Sequence, residues 1–351
     1  SAKVTLTPKY QNIVTQVTVT ANPHITTPDY KQNIIVATTE NTIVSGEIEI
    51  DTTGTSELSI QYSAGTVIFT NLTYQPMTIP AGTAVSTSSR LDLITYVTQH
   101  DAMLERKRGS ITLVEVRAVL PGPEGNVGPS LINRVEGPLS KQVAVTNRQP
   151  TTGGQTVAVP AVTRLDHSRA YDTLVNDLRN QGFTAIVANL ASYQLSAIES
   201  AVIQDVLELN YSHSIGAHTD KLTLTMQAKV SSTVIDEQDA FQAGYIELQD
   251  QLESNMVIDQ DTLNYSRTTA VLGNQTGEVS IKVTARGIAS PVINLSDVNS
   301  TIRWKPIAEA KQGLLETFPL SKTPNIAIQP TWLNRVPWLA WRTSIIVNPP
   351  D

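Results

Sequence analysis

His213 and His218 stand five residues apart with Gly216 between them and Asp220 just beyond, a spacing at which a turn can present two imidazoles to one zinc ion. A zinc site needs a third protein ligand, and none is evident beyond Asp220. His24, His100 and His167 are isolated from one another, so all five histidines read as surface side chains. Asp166-His167-Ser168 contains the residue types of a hydrolytic triad. Acid, base and nucleophile meet through folding, however, and consecutive residues cannot line up; Asp166 reads better as a helix N-cap. Asp259-Gln260-Asp261 and Asp236-Glu237 offer carboxylates to calcium, yet neither has the spacing of an EF-hand loop. A strand-edge pair and a helix N-terminus account for them. The chain has no cysteine, which excludes thiolate nucleophiles, disulfides and Cys-based metal sites. No Gly-x-Ser-x-Gly elbow, phosphate-binding loop or dinucleotide fingerprint occurs. The expectation is a protein that is not an enzyme and carries no cofactor or metal.

Two other patterns bear on binding. Trp304, Trp332, Trp338 and Trp341 all fall in the last fifth of the chain. They could form a carbohydrate platform, an interface anchor or a core that closes the C-terminal domain. The core is the first expectation, and an interface through Trp332 and Trp338 the second. Six Asn-x-Ser/Thr sequons start at Asn71, Asn210, Asn264, Asn274, Asn294 and Asn299, a number close to chance in so Ser- and Thr-rich a chain.

The elements that must position these residues are mostly strands. Charged residues make up 16% of the 351, low against a typical quarter, and Thr, Ser, Asn and Gln take their place. That polarity suits exposed strands of a secreted or assembled protein and argues against disorder. The net charge of −7 gives no basic stripe for nucleic acid; Arg106-Lys107-Arg108 before Gly109 reads as a solvated hairpin tip. No apolar run is long enough to span a membrane as a helix. The chain starts at Ser1 and enters a strand pattern within two residues, as a mature or trimmed product would; an anchor upstream of Ser1 would lie outside these residues.

Val4 and Leu6, then Val14, Val17 and Val19, alternate with polar residues. Short β-branched runs continue through Ile34–Val36, Val44–Ile50, Val67–Phe69, Leu91–Val97 and Ile111–Val119. Between the last two, Thr98–Arg108 has room for one or two turns of helix. Pro150 to Gly154 reads as a linker. A helix follows, with Asp166 as N-cap and Gly182 as its C′ stop. Ala201–Asn210 and Leu222–Val230 read as strands, Asp236 opens a helix, and strands return near Asp261–Ala270 and Glu278–Ala285. Pro306 suits the first turn of another helix, and Thr343–Val347 closes on a strand. The fold expected is β-rich and multidomain: an N-terminal all-β sandwich or barrel-like domain over 1–155, then an α+β domain with antiparallel sheet over 156–351. The blocks near 201–251 and 261–316 share a strand-pair-plus-helix order, as a degenerate repeat would.

Ala64 to Gly154 carries the most specific pattern. It contains Ala64-Gly65-Thr66-Val67-Ile68-Phe69-Thr70-Asn71, Ile79-Pro80-Ala81-Gly82-Thr83, Val114-Glu115-Val116-Arg117-Ala118, Gly122-Pro123-Glu124-Gly125-Asn126 and Asn147 through Gly153-Gly154. Pro80 and Gly82 suit a turn between strands, Gly125-Asn126 a tight turn, and Gly153-Gly154 a swing between domains. This order and spacing resemble the baseplate J-like family, which includes wedge components of contractile phage tails and related injection machines. The resemblance implies a scaffold with no catalytic residues.

The leading expectation is thus a structural protein that assembles with copies of itself or with other structural proteins, at an extracellular or cell-surface location, into a filament or layer. The alternatives are a baseplate wedge of a phage tail or injection machine, and a carbohydrate-binding surface protein. Val4, Leu6, Val14, Val17, Val19, Trp332 and Trp338 are the expected interface, and Lys3–Ala21 the expected site of strand addition.

Overall fold

The computed structural model describes residues 1–88, 93–268 and 271–349. The chain divides into two compact units, both discontinuous in sequence: Glu47–Asp172 with Asn210–Leu224, and Ser1–Gly46 with Thr173–Leu209 and Thr225–Asp351.

The first unit is built on a near-closed barrel. Six strands follow in the order Ile132–Val135, Ala84–Thr87, Thr95–Thr98, Ile111–Ala118, Ala64–Asn71, Val143–Thr146, each antiparallel to the next. Asn147 bridges the gap between the first strand and the last. Its Oδ1 accepts from Ile132 N–H at 2.9 Å, its carbonyl from Ser130 N–H at 2.6 Å, and its Nδ2 donates to Gly128 O at 2.9 Å. Alternation along each strand turns one set of side chains inward. Val67, Phe69, Val85, Tyr96, Val114, Val116, Ile132, Val143 and Val145 form one buried cluster that fills the interior. Outside the barrel, Gly54–Gln61 and Gln155–Ala161 pair as an antiparallel ribbon.

The second unit mixes sheet and helix. Gln11–Asn22 and Val279–Pro291 pair antiparallel from Gln11↔Ala289 to Ala21↔Val279. Helix α1 is Arg164–Asn189, which begins in the first unit, and α2 is Glu237–Asp250. Ala240 and Ala243 of α2 pack on Val17, Val19, Ile281 and Val283. A three-stranded sheet places Ala2–Leu6 between Asn325–Ile328 and Thr343–Val347. Helices α3, Leu295–Ile302, and α4, Ile307–Thr317, cover it through Val298, Ile302, Ala310 and Leu314. The sheets are not purely antiparallel: Ala2–Leu6 runs parallel to Thr343–Val347, and Gln11–Asn22 parallel to Ile34–Val36.

Three local expectations are corrected. Thr98–Arg108 holds no helix. Ala102–Leu104 is a strand paired with Met77–Ile79, because Ala102 and Leu104 alternate into the barrel core. Asp166 is not the N-cap of α1. Thr163 takes that place, its Oγ1 accepting from Asp166 N–H at 3.1 Å, while Asp166 Oδ2 accepts from Thr163 N–H at 2.8 Å and its hydroxyl at 2.7 Å. Gly182 does not stop α1 either. It sits inside the helix, where a Cβ would lie 2.5 Å from Val230 Cβ, so glycine is there to let the helix approach the strand Lys221–Asp236. Of the run Leu91–Val97, Leu91 and Asp92 lie outside the described residues, and the strand is Thr95–Thr98.

Candidate interaction surfaces

The motif residues of the barrel converge on one buried polar knot. Tyr96, fully buried, donates its hydroxyl to Gly125 O at 2.6 Å. Thr151 Oγ1 donates to the same carbonyl at 2.6 Å and accepts from Val127 N–H at 2.8 Å. Burial pushes the Tyr96 phenol pKa up, and its hydrogen bond with Thr151 offsets this only in part. Asn126 and Gly154 pair through both the side-chain amide and the backbone. Gly125-Asn126 closes a tight 3₁₀ turn, Pro123–Gly125, after the strand Ile111–Ala118. Gly153-Gly154 is not a free swing point: a Cβ at Gly154 would lie 2.0 Å from Gly122 O. Pro80 to Thr83 is the expected turn, with Gly82 at φ +82° and Thr83 N–H donating to Pro80 O. Arg106-Lys107-Arg108 is an exposed turn closed by Gly109 at φ +90°.

Beside this knot lies a cavity of about 680 Å³ lined by Leu93, Ile94, Thr95, Val119, Leu120 and Gly125, among others. Leu93, Val119 and Leu120 are exposed there. On the ribbon, Leu58 pairs with Val157, so both share one face, and both are exposed, as is Ile60 at the bulge beside them. No feature of the sequence reading singled out either surface, because apolar residues on an unpartnered face have the same pattern as core residues.

The expected N-terminal interface is used differently. Val4 and Leu6 are fully buried, and their strand is hydrogen-bonded on both edges, which leaves no free edge for strand addition. Val17 and Val19 are buried against α2, and Val14 alone of the five is exposed. The segment Lys3–Ala21 thus closes its own unit. Among the described residues one sheet edge lies at Val202–Tyr211, with Val202, Val206, Leu207 and Leu209 exposed.

The four tryptophans do not close a core. Trp304 and Trp338 are half exposed, and Trp332 and Trp341 are 80% and 75% exposed. The guanidinium of Arg303 lies 3.9 Å over the Trp338 ring, and its Nε donates to Trp338 O at 3.1 Å. Arg342 lies 4.8 Å over Trp341. Arg335 Nη1 donates to Trp304 O at 3.2 Å, beside a Trp304 backbone held at φ +57°. A cavity of about 380 Å³ adjoins Trp338, Arg303 and Thr343, and Thr343 also lines a second, of about 640 Å³, with Trp341 and Arg342.

The titratable clusters have structural roles. His167 stacks on Tyr211 with ring centroids 3.9 Å apart, and its Nε2 lies 3.0 Å from His213 O. Asp236 and Asp259 cap α2 and a 3₁₀ turn. Asp166 is buried; burial works to raise its pKa, but hydrogen bonds from Thr163 and Thr53 outweigh it and hold the carboxyl well below the usual range. Among the described residues no group of three or more His, Asp or Glu is placed to hold a metal ion, and no helix is long and apolar enough to cross a membrane.

Residues 66–154, about a quarter of the chain and nearly all of the barrel, match the family model described as the Baseplate J-like protein barrel domain. No curated protein matches the chain.

Proposed function

We propose that this chain, whose residues 66–154 are a Baseplate J-like barrel domain, is a non-enzymatic structural component of the baseplate of a phage tail or related injection machine. The family match over the barrel carries the reading. The barrel supports it physically, because Phe69, Tyr96, Val116 and Ile132 occupy the interior that a ligand would need. A protein of this kind acts by holding neighbours in place, and its working chemistry is buried area and polar complementarity. Leu93, Val119 and Leu120 beside the knot, and Leu58, Ile60 and Val157 on the ribbon, supply apolar area for such contacts. The baseplate reading has the family match behind it, which a cell-surface filament or layer lacks.

The test is immunogold electron microscopy of tail-like particles purified from the source cells, with antibody raised against this chain. Label at one end of the particles, distal to the sheath, is the expected result. Label on separate filaments or on a surface layer, or tail-like particles that lack the chain, would overturn it.

A further inference from the structure

Two arginines lie over exposed tryptophan rings at the C-terminal end of the chain, and a third holds the backbone of another tryptophan. Among the described residues Arg303, Arg335 and Arg342 make no ion pair with a carboxylate. Around Arg335 and Arg342 the sequence offers few partners, since no Asp or Glu occurs from Thr317 to Pro350 while Lys322, Arg335 and Arg342 do. In a chain of net charge −7 this is a local reversal of sign.

Exposed Trp and unpaired Arg together have the composition of the energetically dominant part of a protein interface, where a ring is buried and a planar cation meets a carboxylate. The chemistry selects among occupants. A sugar or a nucleobase stacks on an open ring face, but one face of Trp338 and one of Trp341 are already covered by guanidinium groups. A nucleic acid would also meet the chain's overall negative charge. An acidic protein segment needs only guanidinium N–H groups, and Arg303 and Arg342 keep most of theirs beyond the one Arg303 Nε bond to Trp338 O. The αL backbone of Trp304 is disfavoured for so bulky a residue, and Arg335 holds it in place.

We infer that the surface of Trp338, Trp341, Arg303 and Arg342, whose two adjoining cavities share Thr343, docks an acidic segment of a partner protein. This deepens the assembly reading above and rests on it.

The chain reports on its own occupancy, because Trp338 and Trp341 are two of the only four tryptophans it has. The protein is titrated with a short peptide of alternating glutamate and leucine, with oligodeoxythymidylate of equal charge, and with uncharged chitooligosaccharide. The peptide is expected to shift Trp emission saturably, more weakly as salt is raised. The R303Q/R342Q variant, whose exposed side chains leave the fold intact, is expected to weaken it at least about tenfold. An unchanged emission, equal or tighter binding of the oligonucleotide or the sugar, or equal affinity in the variant would overturn the inference. Each of those results would leave the immunogold localisation standing, so the two readings fail separately.

Discussion

Asn126 and Gly154 hold each other by two hydrogen bonds, with Asn126 Nδ2 donating to Gly154 O at 2.8 Å and Gly154 N–H donating to Asn126 Oδ1 at 2.9 Å. The pair fastens the loop after Ile111–Ala118 to the chain that leaves the barrel. Gly154 fits only without a side chain, since a Cβ there would lie 2.0 Å from Gly122 O. G154A is therefore expected to destabilise the barrel by about 2–4 kcal/mol through forced displacement of backbone. N126A strands one donor and one acceptor and is expected to cost about 2 kcal/mol. Urea unfolding followed by far-UV circular dichroism measures both. A G154A protein as stable as the parent would show that the loops separate without cost.

Tyr96 supports the same knot from inside the barrel. Y96F leaves Gly125 O its bond from Thr151 Oγ1, so the buried acceptor stays satisfied and the expected cost is about 1 kcal/mol. Y96A opens a cavity, and about 3–5 kcal/mol is expected. The phenol also fixes a pH dependence. Its folded pKa is raised by burial, so the folded state holds the proton across a window in which the unfolded chain has lost it. Stability from this group is present below about pH 10 and falls as pH rises through the window towards the folded value. Y96F should flatten the alkaline loss without abolishing it, because burial raises Tyr211 and Tyr265 as well. Unfolding curves of the two proteins from neutral to strongly alkaline pH make the comparison; parallel losses would exclude Tyr96 as a contributor.

Asp166 titrates at the other end of the scale. Its carboxylate accepts from the N–H and hydroxyl of both Thr53 and Thr163, with the shortest contact 2.7 Å, and it is fully buried. Burial raises its pKa, but the hydrogen bonds from Thr163 and Thr53 prevail and depress it. Between that folded value and the unfolded value of about 3.9 the unfolded state binds more protons. The contribution to stability is complete above the unfolded pKa and is lost as pH falls through the window. D166N is expected to cost about 2–4 kcal/mol at neutral pH and to reduce the acid dependence below about pH 4. Chemical denaturation at neutral pH and at successively lower pH checks both. An acid slope unchanged in D166N would place the lost stability on other carboxylates.

The legible parts of this fold were those with local causes. Period-two alternation marked Gln11–Asn22 and Ile111–Ala118, and the side-chain cap marked Asp236 before α2. The Asn-x-Ser/Thr pattern also had a local cause, though a different one from glycosylation. Asn71, Asn274 and Asn294 each accept from the backbone N–H and the hydroxyl of the residue two positions on, which makes each sequon an Asx turn. What depended on distant partners was not legible. Ala2–Leu6 reads as a strand, but only Asn325–Ile328 and Thr343–Val347, more than 300 residues away, make it a central one. The tryptophans read as core because bulk and apolarity are the same inside and out. In the structure they are exposed, and Arg303 and Arg342 lie over the rings of Trp338 and Trp341. Gly154 reads as a swing point because its pairing with Asn126 spans residues that sequence spacing does not connect.

Gly182 shows the same limit and gives a test by paired substitution. In the interior of a helix glycine costs about 1 kcal/mol against alanine, so propensity alone predicts that G182A stabilises. The structure predicts the reverse, because a Cβ would sit 2.5 Å from Cβ and Cγ2 of Val230, which is fully buried. Overpacking of this kind costs about 1–3 kcal/mol, and the contact is to a branched, rigid side chain that cannot swing away. V230A alone loses apolar burial, about 1–2 kcal/mol. In G182A/V230A the added methyl enters the space the valine leaves, and the double variant is expected to be more stable than the sum of the single changes allows, with a coupling of at least about 1 kcal/mol. Urea midpoints for the four proteins complete the cycle. Additive costs would mean that α1 and the strand can move apart freely, and the close approach would then not be what holds glycine at this position.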